Sequence, residues 1–149
     1  RVAELESLAV GGDPARGRAA FLAGAGACLS CHRVGETGGT FGPDLSQIGR
    51  IRSVRDLLEA ISFPNATIAR GYEAFQINTK DGNTLVGTIQ REAADTVFVV
   101  TADGRENPVP RSSIAKVEPV AMSLMPPGLD RVLEPRALAD LVTFLKSLQ

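Results

Sequence analysis

The sequence has almost no net charge, no long apolar run and no recognisable catalytic motif. Its formal net charge is -1 at pH 7, which gives no electrostatic reason to expect binding to nucleic acid or to an anionic membrane. No stretch approaches the ~20 consecutive apolar residues that span a bilayer, so we expect no transmembrane segment in this chain. No catalytic triad, carboxylate cluster or phosphate-binding loop is recognisable.

Cysteine and histidine are scarce, and all of them lie together. The chain has two cysteines and one histidine, and they are Cys28, Cys31 and His32. The spacing Cys-x-x-Cys-His is the attachment signal for c-type haem. Each thiol S–H adds across one vinyl double bond of the porphyrin, and the adjacent imidazole can then reach the iron. The motif therefore predicts one haem c, bound covalently through the two cysteines, with His32 as an iron ligand.

Three other interpretations of the motif fit the sequence less well. A redox dithiol usually opens a helix after a strand, whereas residues 17–23 have a helical pattern and no βαβ unit surrounds the motif. A zinc site needs a fourth donor, and the chain has no second cysteine pair and no further histidine. A disulfide across two intervening residues would be strained and would close almost no loop.

The sixth ligand of the iron has two candidates among the soft donors. Bis-histidine ligation within the chain is impossible, and the methionines are Met122 and Met125. A thioether ligand raises the haem potential and favours electron transfer over oxygen binding. Met125 precedes Pro126 and Pro127, which could hold its sulfur in a rigid, extended segment. From the residues alone, Met122 and an open or water-bound position remain alternatives.

The hydrophobic periodicity changes twice along the chain. Asp13-Pro14 and Ser53 are typical helix starts, and Pro135 begins a last helix. The buried stripe of that helix is predicted to contain Leu138, Leu141, Val142, Leu145 and Leu148. From residue 72 to 118 the period is near two, which predicts strands at 74–78, 85–89, 96–100 and 114–117, with hairpin turns at 80–83 and 102–105.

This pattern predicts a haem domain with an insertion. We expect residues 10–71 and 121–149 to form the haem domain, and residues 72–120 to form an inserted antiparallel β module. Residues 1–9 are expected to be an N-terminal extension or the end of an upstream region. The predicted fold class is mainly α, a helical fold around one covalent haem. The glycine-rich segment 35–49 is expected to be an irregular loop over the haem.

The order of these motifs resembles class I cytochrome c. The shared features are a helix, the haem motif, Gly-Pro-Asp-Leu at 42–45, a second helix, Met-Pro at 125–126 and a C-terminal helix. The resemblance implies that the first and last helices cross, with Gly17 and Phe21 packing against Phe144.

The resemblance also implies a role for Pro43. Its carbonyl would accept a hydrogen bond from His32, which would orient the imidazole and raise its basicity. The alternative is that Pro43 only stiffens the loop.

The chain is similar, over about residues 13–149, to the planctomycete-type haem-binding domain, a cytochrome c subgroup with a β insert before the axial methionine. The similarity lies in residues 64–73, 123–129 and 138–145. It implies Met125 as the axial ligand, and it implies that such a domain is often the C-terminal part of a larger exported protein.

The resemblance therefore implies single-electron transfer through a six-coordinate haem. The expected partners are redox proteins or an attached dehydrogenase domain, and the expected location is periplasmic or otherwise extracytoplasmic, because c-type cytochromes normally receive haem after export. Two alternatives remain: a haem-based sensor or binder of a small gas, and an interaction module of a larger exported dehydrogenase.

Overall fold

A computed structural model describes residues 2–23, 27–121 and 123–149. The chain divides into two compact units, residues 1–67 with 126–149, and residues 68–125. None of the helices in the described ranges is long and apolar enough to cross a membrane.

The first unit is mainly helical, and local signals account for its helix starts. The Asp13 carboxylate accepts backbone N–H groups at the start of the second helix, Ser53 and Asp56 form a capping box, and Pro135 occupies the first turn of the last helix. The elements are α1 (Val2–Ala9), α2 (Pro14–Ala23), α3 (Cys28–Cys31), β1 (Arg33–Val34), β2 (Thr37–Gly38), α4 (Ile48–Ile51), α5 (Val54–Ser62), α6 (Leu129–Val132) and α7 (Pro135–Ser147).

The core of the first unit forms where α2 crosses α7. A Cβ on Gly17 would lie 1.9 Å from the carbonyl oxygen of Asp140, so the helices approach this closely only because residue 17 is glycine. The rings of Phe21 and Phe144 lie 5.9 Å apart, tilted by 53°. The expected contact of Gly17 and Phe21 with Phe144 is therefore present. Four of the five residues predicted for the buried stripe of α7 are buried, and Leu148 is half-buried.

Helix α1 belongs to this core. It packs against α5 and α7, and Leu5 and Ala9 are buried. Glu6 forms an exposed ion pair with Arg55 at 3.3 Å. Residues 2–9, which the sequence suggests as an extension, are therefore an integrated part of the first unit.

The second unit is built on a five-stranded antiparallel sheet. Its strands are β3 (Ala74–Thr79), β4 (Thr84–Glu92), β5 (Thr96–Val100), β6 (Glu106–Pro110) and β7 (Ile114–Val120), in the spatial order β6-β5-β4-β3-β7. Its apolar core contains Ile77, Val97, Val99 and Val109. Gly82 and Gly104 take positive φ in the two predicted hairpin turns, and both turns are confirmed.

The expected mainly α fold class is wrong. Helices make up 37% and strands 25% of the chain, which is therefore mixed α and β. The physical reason is that residues 74–120 form a complete sheet with its own apolar core, whereas the expectation treated this part as minor. The segment 35–49 also differs from an irregular loop, because it contains strand β2 and the start of α4.

Candidate functional site

The two cysteines lie on one helical turn. Cys28 and Cys31 are the first and last residues of α3, so their side chains, three positions apart, lie on the same side of the turn. Both are free thiols and both are half-buried. The N–H of His32 donates to the carbonyl oxygen of Cys28 at 2.8 Å, and His32 then takes an extended conformation. The motif is thus a single closed turn followed at once by the imidazole.

The turn begins from an unusual backbone conformation at Ala27. Its φ is 58° and its ψ is 24°, in the left-handed region, and within the described ranges it is the only residue other than glycine with a positive φ. This conformation disfavours any residue that carries a Cβ.

Burial changes the protonation of the thiols. It raises the pKa of both Cys28 and Cys31 above the ordinary value, and a hydrogen bond to the backbone of Cys28 opposes this rise only in part for Cys28. Both residues therefore carry an S–H bond at neutral pH.

The imidazole of His32 is oriented by Pro43. Its Nδ1 lies 2.8 Å from the carbonyl oxygen of Pro43, the partner that the family resemblance implies. A carbonyl oxygen only accepts hydrogen bonds, so Nδ1 carries the proton and Nε2 keeps its lone pair. Burial lowers the pKa of His32, although the hydrogen bond to Pro43 opposes that change. The ring is therefore neutral at pH 7, the form in which imidazole binds a metal.

The segment that presents Pro43 is fixed by backbone hydrogen bonds to the motif. The N–H of Gly39 donates to the carbonyl of Leu29 at 3.0 Å, and the N–H of Gly42 donates to the carbonyl of Cys31 at 2.7 Å. The short hairpin of β1 and β2 joins the motif to this segment. Pro43 is thus held in place by the same backbone that carries the cysteines.

Three glycines allow this close approach, and the sequence interpretation did not identify them. A Cβ would lie 2.1 Å from the His32 carbonyl oxygen at Gly38 and 2.2 Å from the Ser30 carbonyl oxygen at Gly39. At Gly42 it would meet the His32 ring. The clustering of glycines at 38, 39 and 42, just after the motif, is compatible with a close approach of the backbone, but it does not show which atoms these residues approach.

Met125 is placed in the second unit, whereas the other four predicted site residues lie in the first. It is half-buried, and its N–H donates to the hydroxyl oxygen of Ser123 at 3.1 Å. Met122, the other candidate ligand, lies outside the described residues.

No protein-family model matches the sequence, and no curated protein matches it. Within residues 2–23, 27–121 and 123–149, no group of three or more His, Cys, Asp and Glu side chains is arranged to hold a metal ion. The choice of a functional class therefore depends on the motif and on the geometry around His32.

Proposed function

We propose that this chain is a monohaem c-type cytochrome domain that transfers single electrons. In this proposal Cys28 and Cys31 would hold the haem covalently, and His32 and Met125 would be the protein ligands of its iron. The observation that carries it is the 2.8 Å contact between Nδ1 of His32 and the Pro43 carbonyl, which leaves the Nε2 lone pair free in the residue that directly follows the turn with the two free thiols.

The described residues fit the chemistry of haem attachment. Each thiol forms one C–S bond to a vinyl carbon while its hydrogen goes to the neighbouring carbon, so the addition needs no external oxidant. Cys28 and Cys31 lie on one side of the single turn of α3, and His32 directly follows that turn. When bound, the haem supplies an iron atom that gains and loses one electron.

The roles of His32 and Pro43 follow from their hydrogen bond. The carbonyl of Pro43 holds the proton on Nδ1, fixes the tautomer and makes Nε2 a better electron donor. The N–H of Gly42 donates to the carbonyl of Cys31. This hydrogen bond holds the next residue, Pro43, in a fixed position relative to the motif. Electron transfer benefits from such a fixed ligand because little has to reorganise when the charge changes.

Met125 is proposed as the second axial ligand on chemical grounds and on the family resemblance. A thioether favours the reduced iron and closes the position at which a gas would bind. The domain would then act as a carrier rather than an enzyme. It would operate in an extracytoplasmic compartment and exchange electrons with redox proteins or an attached dehydrogenase domain.

Haem attachment is tested by exporting the chain in a bacterial host that has haem-attachment machinery. We expect the wild-type chain to keep its haem after denaturing electrophoresis and to gain the mass of one haem. The Cys28→Ser/Cys31→Ser double variant should lose all covalent haem. A wild-type chain that carries no covalent haem under these conditions, while a known c-type cytochrome is loaded normally, would contradict the proposal.

The axial ligand is tested with Met125→Leu and the matched variant Met122→Leu. Loss of the thioether at 125 should abolish the weak red-end absorbance band of sulfur-ligated ferric haem. It should also lower the midpoint potential by on the order of 0.1 V, well within the ~0.8 V range that axial ligands set. Met122→Leu should match the wild type. If the wild type already lacks the band and binds carbon monoxide rapidly when reduced, the domain is a gas binder instead.

A further inference from the structure

Gly42 lies directly against the imidazole ring of His32. A Cβ on residue 42 would lie 2.7 Å from Cε1, 2.9 Å from Nδ1 and 3.2 Å from Nε2 of the ring. The first two distances are shorter than any ordinary contact between carbon or nitrogen atoms and a Cβ. The ring can hold its present position only because residue 42 has no side chain.

The backbone of residue 42 has little freedom to move away from the ring. Its N–H donates to the Cys31 carbonyl at 2.7 Å, and the next residue, Pro43, provides the carbonyl that accepts from Nδ1 of His32. Phe41, on the other side, is 5% exposed. A methyl group at position 42 would therefore displace the imidazole rather than the chain.

Position 42 differs in this respect from the two other close-packed glycines. At Gly38 and Gly39 the nearest atoms to an added Cβ are backbone carbonyl oxygens, of His32 and Ser30. A side chain there would disturb the backbone of the motif itself. At Gly42 the nearest three atoms all belong to the ring, on the side that carries both nitrogens.

We propose that Gly42 is a positioning residue that sets the rotation of the His32 ring and keeps Nε2 accessible to the iron. This inference rests on the proposed function, because it concerns the ligand that His32 supplies. Pro43 fixes the direction of Nδ1 through a hydrogen bond. Gly42, which has no side chain, leaves room for the ring edge that carries Cε1 and both nitrogens. Two consecutive residues thus determine the orientation of one ligand.

The variant that tests this role is Gly42→Ala in the haem-loaded chain. We expect covalent haem to be retained, because neither thiol is touched. The midpoint potential should shift measurably, and the NMR signals of the His32 ring should move. His32 is the only histidine, so its ring signals are unambiguous. The matched control is Gly11→Ala, because an added Cβ at Gly11 has nothing within 4 Å.

The outcomes separate this inference from the proposed function. If Gly42→Ala and Gly11→Ala both keep the wild-type potential and ring signals, Gly42 has no positioning role, although the chain remains a cytochrome. If the wild-type chain carries no covalent haem, the proposed function itself fails.

A measurement on the wild type covers the case in which Gly42→Ala does not fold. The reduced, diamagnetic holoprotein should show a nuclear Overhauser contact between the α protons of Gly42 and the Cε1 proton of His32. The contact supports the inference. Its absence from a spectrum in which both resonances are assigned would overturn it.

Discussion

Ala27 is the residue at which the backbone is most constrained next to the haem motif. A left-handed conformation costs a residue with a Cβ about 1–2 kcal/mol, and Ala27 adopts it immediately before Cys28. The Ala27→Gly variant should therefore be more stable by up to about 1 kcal/mol, since relief of strain exceeds the added freedom of the unfolded chain. Ala27→Val should be less stable than the wild type.

Chemical denaturation of the haem-loaded chain measures both effects. The control is Ala19→Gly, at an exposed position inside α2, where glycine should lower the free energy of unfolding by about 1 kcal/mol. The two alanine-to-glycine changes should thus shift the free energy of unfolding in opposite directions. Equal destabilisation by both would show that the left-handed conformation at residue 27 carries no strain.

For single residues, the sequence predicts features that depend on near neighbours in the chain. It does not predict contacts that form only when distant residues are brought together by the fold. Cys28, Cys31 and His32 follow from their spacing alone. The contact between His32 and Pro43 spans eleven positions and came only from a family resemblance. The approach of Gly42 to the ring could not be inferred, because it depends on hydrogen bonds that bring residues 39–42 back along the motif.

At the scale of elements, a buried carboxylate joins α2 to α7. The side chain of Asp140 is 6% exposed, and it accepts from Nε of Arg16 at 2.9 Å and from the N–H of Asp13 at 2.8 Å. The hydrogen bond from Arg16 lowers the pKa of Asp140, against the opposing effect of burial. The folded state therefore favours the ionised carboxylate more than the unfolded state does.

The sign of the pH dependence follows from this lowered pKa. The contribution of Asp140 is fully present above its unfolded pKa of about 3.9 and is lost as the pH falls through the lower folded value. We expect Asp140→Asn to reduce the free energy of unfolding at pH 7 by about 1–3 kcal/mol. It should also flatten the decline of stability below pH 5.

Denaturation curves between pH 7 and pH 3 measure this effect, with the exposed Glu36→Gln as the matched control. If Asp140→Asn and Glu36→Gln gave the same pH profile, the ion pair would not stabilise the crossing of α2 and α7.

The sequence predicts elements well where the local signal is strong. The helix starts near Asp13 and Ser53 and at Pro135 are where their capping residues indicate. The sequence does not predict strand β6, because Pro108 and Pro110 disfavour a strand. Proline is tolerated there because β6 is the outer strand, with neighbours on one side only.

At the scale of the whole molecule, each unit has its own core, and four of the five predicted site residues lie in the first unit. We therefore expect that a chain in which residues 73–119 are replaced by a short flexible linker still attaches haem. Haem stain per protein and the far-UV helical signal measure this, with the same shortened chain carrying Cys28→Ser and Cys31→Ser as the control. A shortened chain that is helical but carries no haem would show that the first unit is insufficient.

The error in fold class also belongs to this scale. The strand pattern of residues 72–118 predicts a β module, but its share of the fold depends on five strands that pair in one sheet around a common apolar core. Residues 2–9 differ from the expected extension for another reason. Their apolar pattern is weak, and only packing against α5 and α7 makes them part of a core.

The prolines of the sheet have a consequence for how the protein behaves at high concentration. Strand β6 lacks an N–H group at Pro108 and Pro110, two of its five residues, and β7, the strand at the other edge, lacks one at Pro119. A strand from another molecule that paired with either edge would have fewer hydrogen bonds to gain. Proline in edge strands is one of the ways in which proteins oppose edge-to-edge aggregation, and both edges of this sheet carry it.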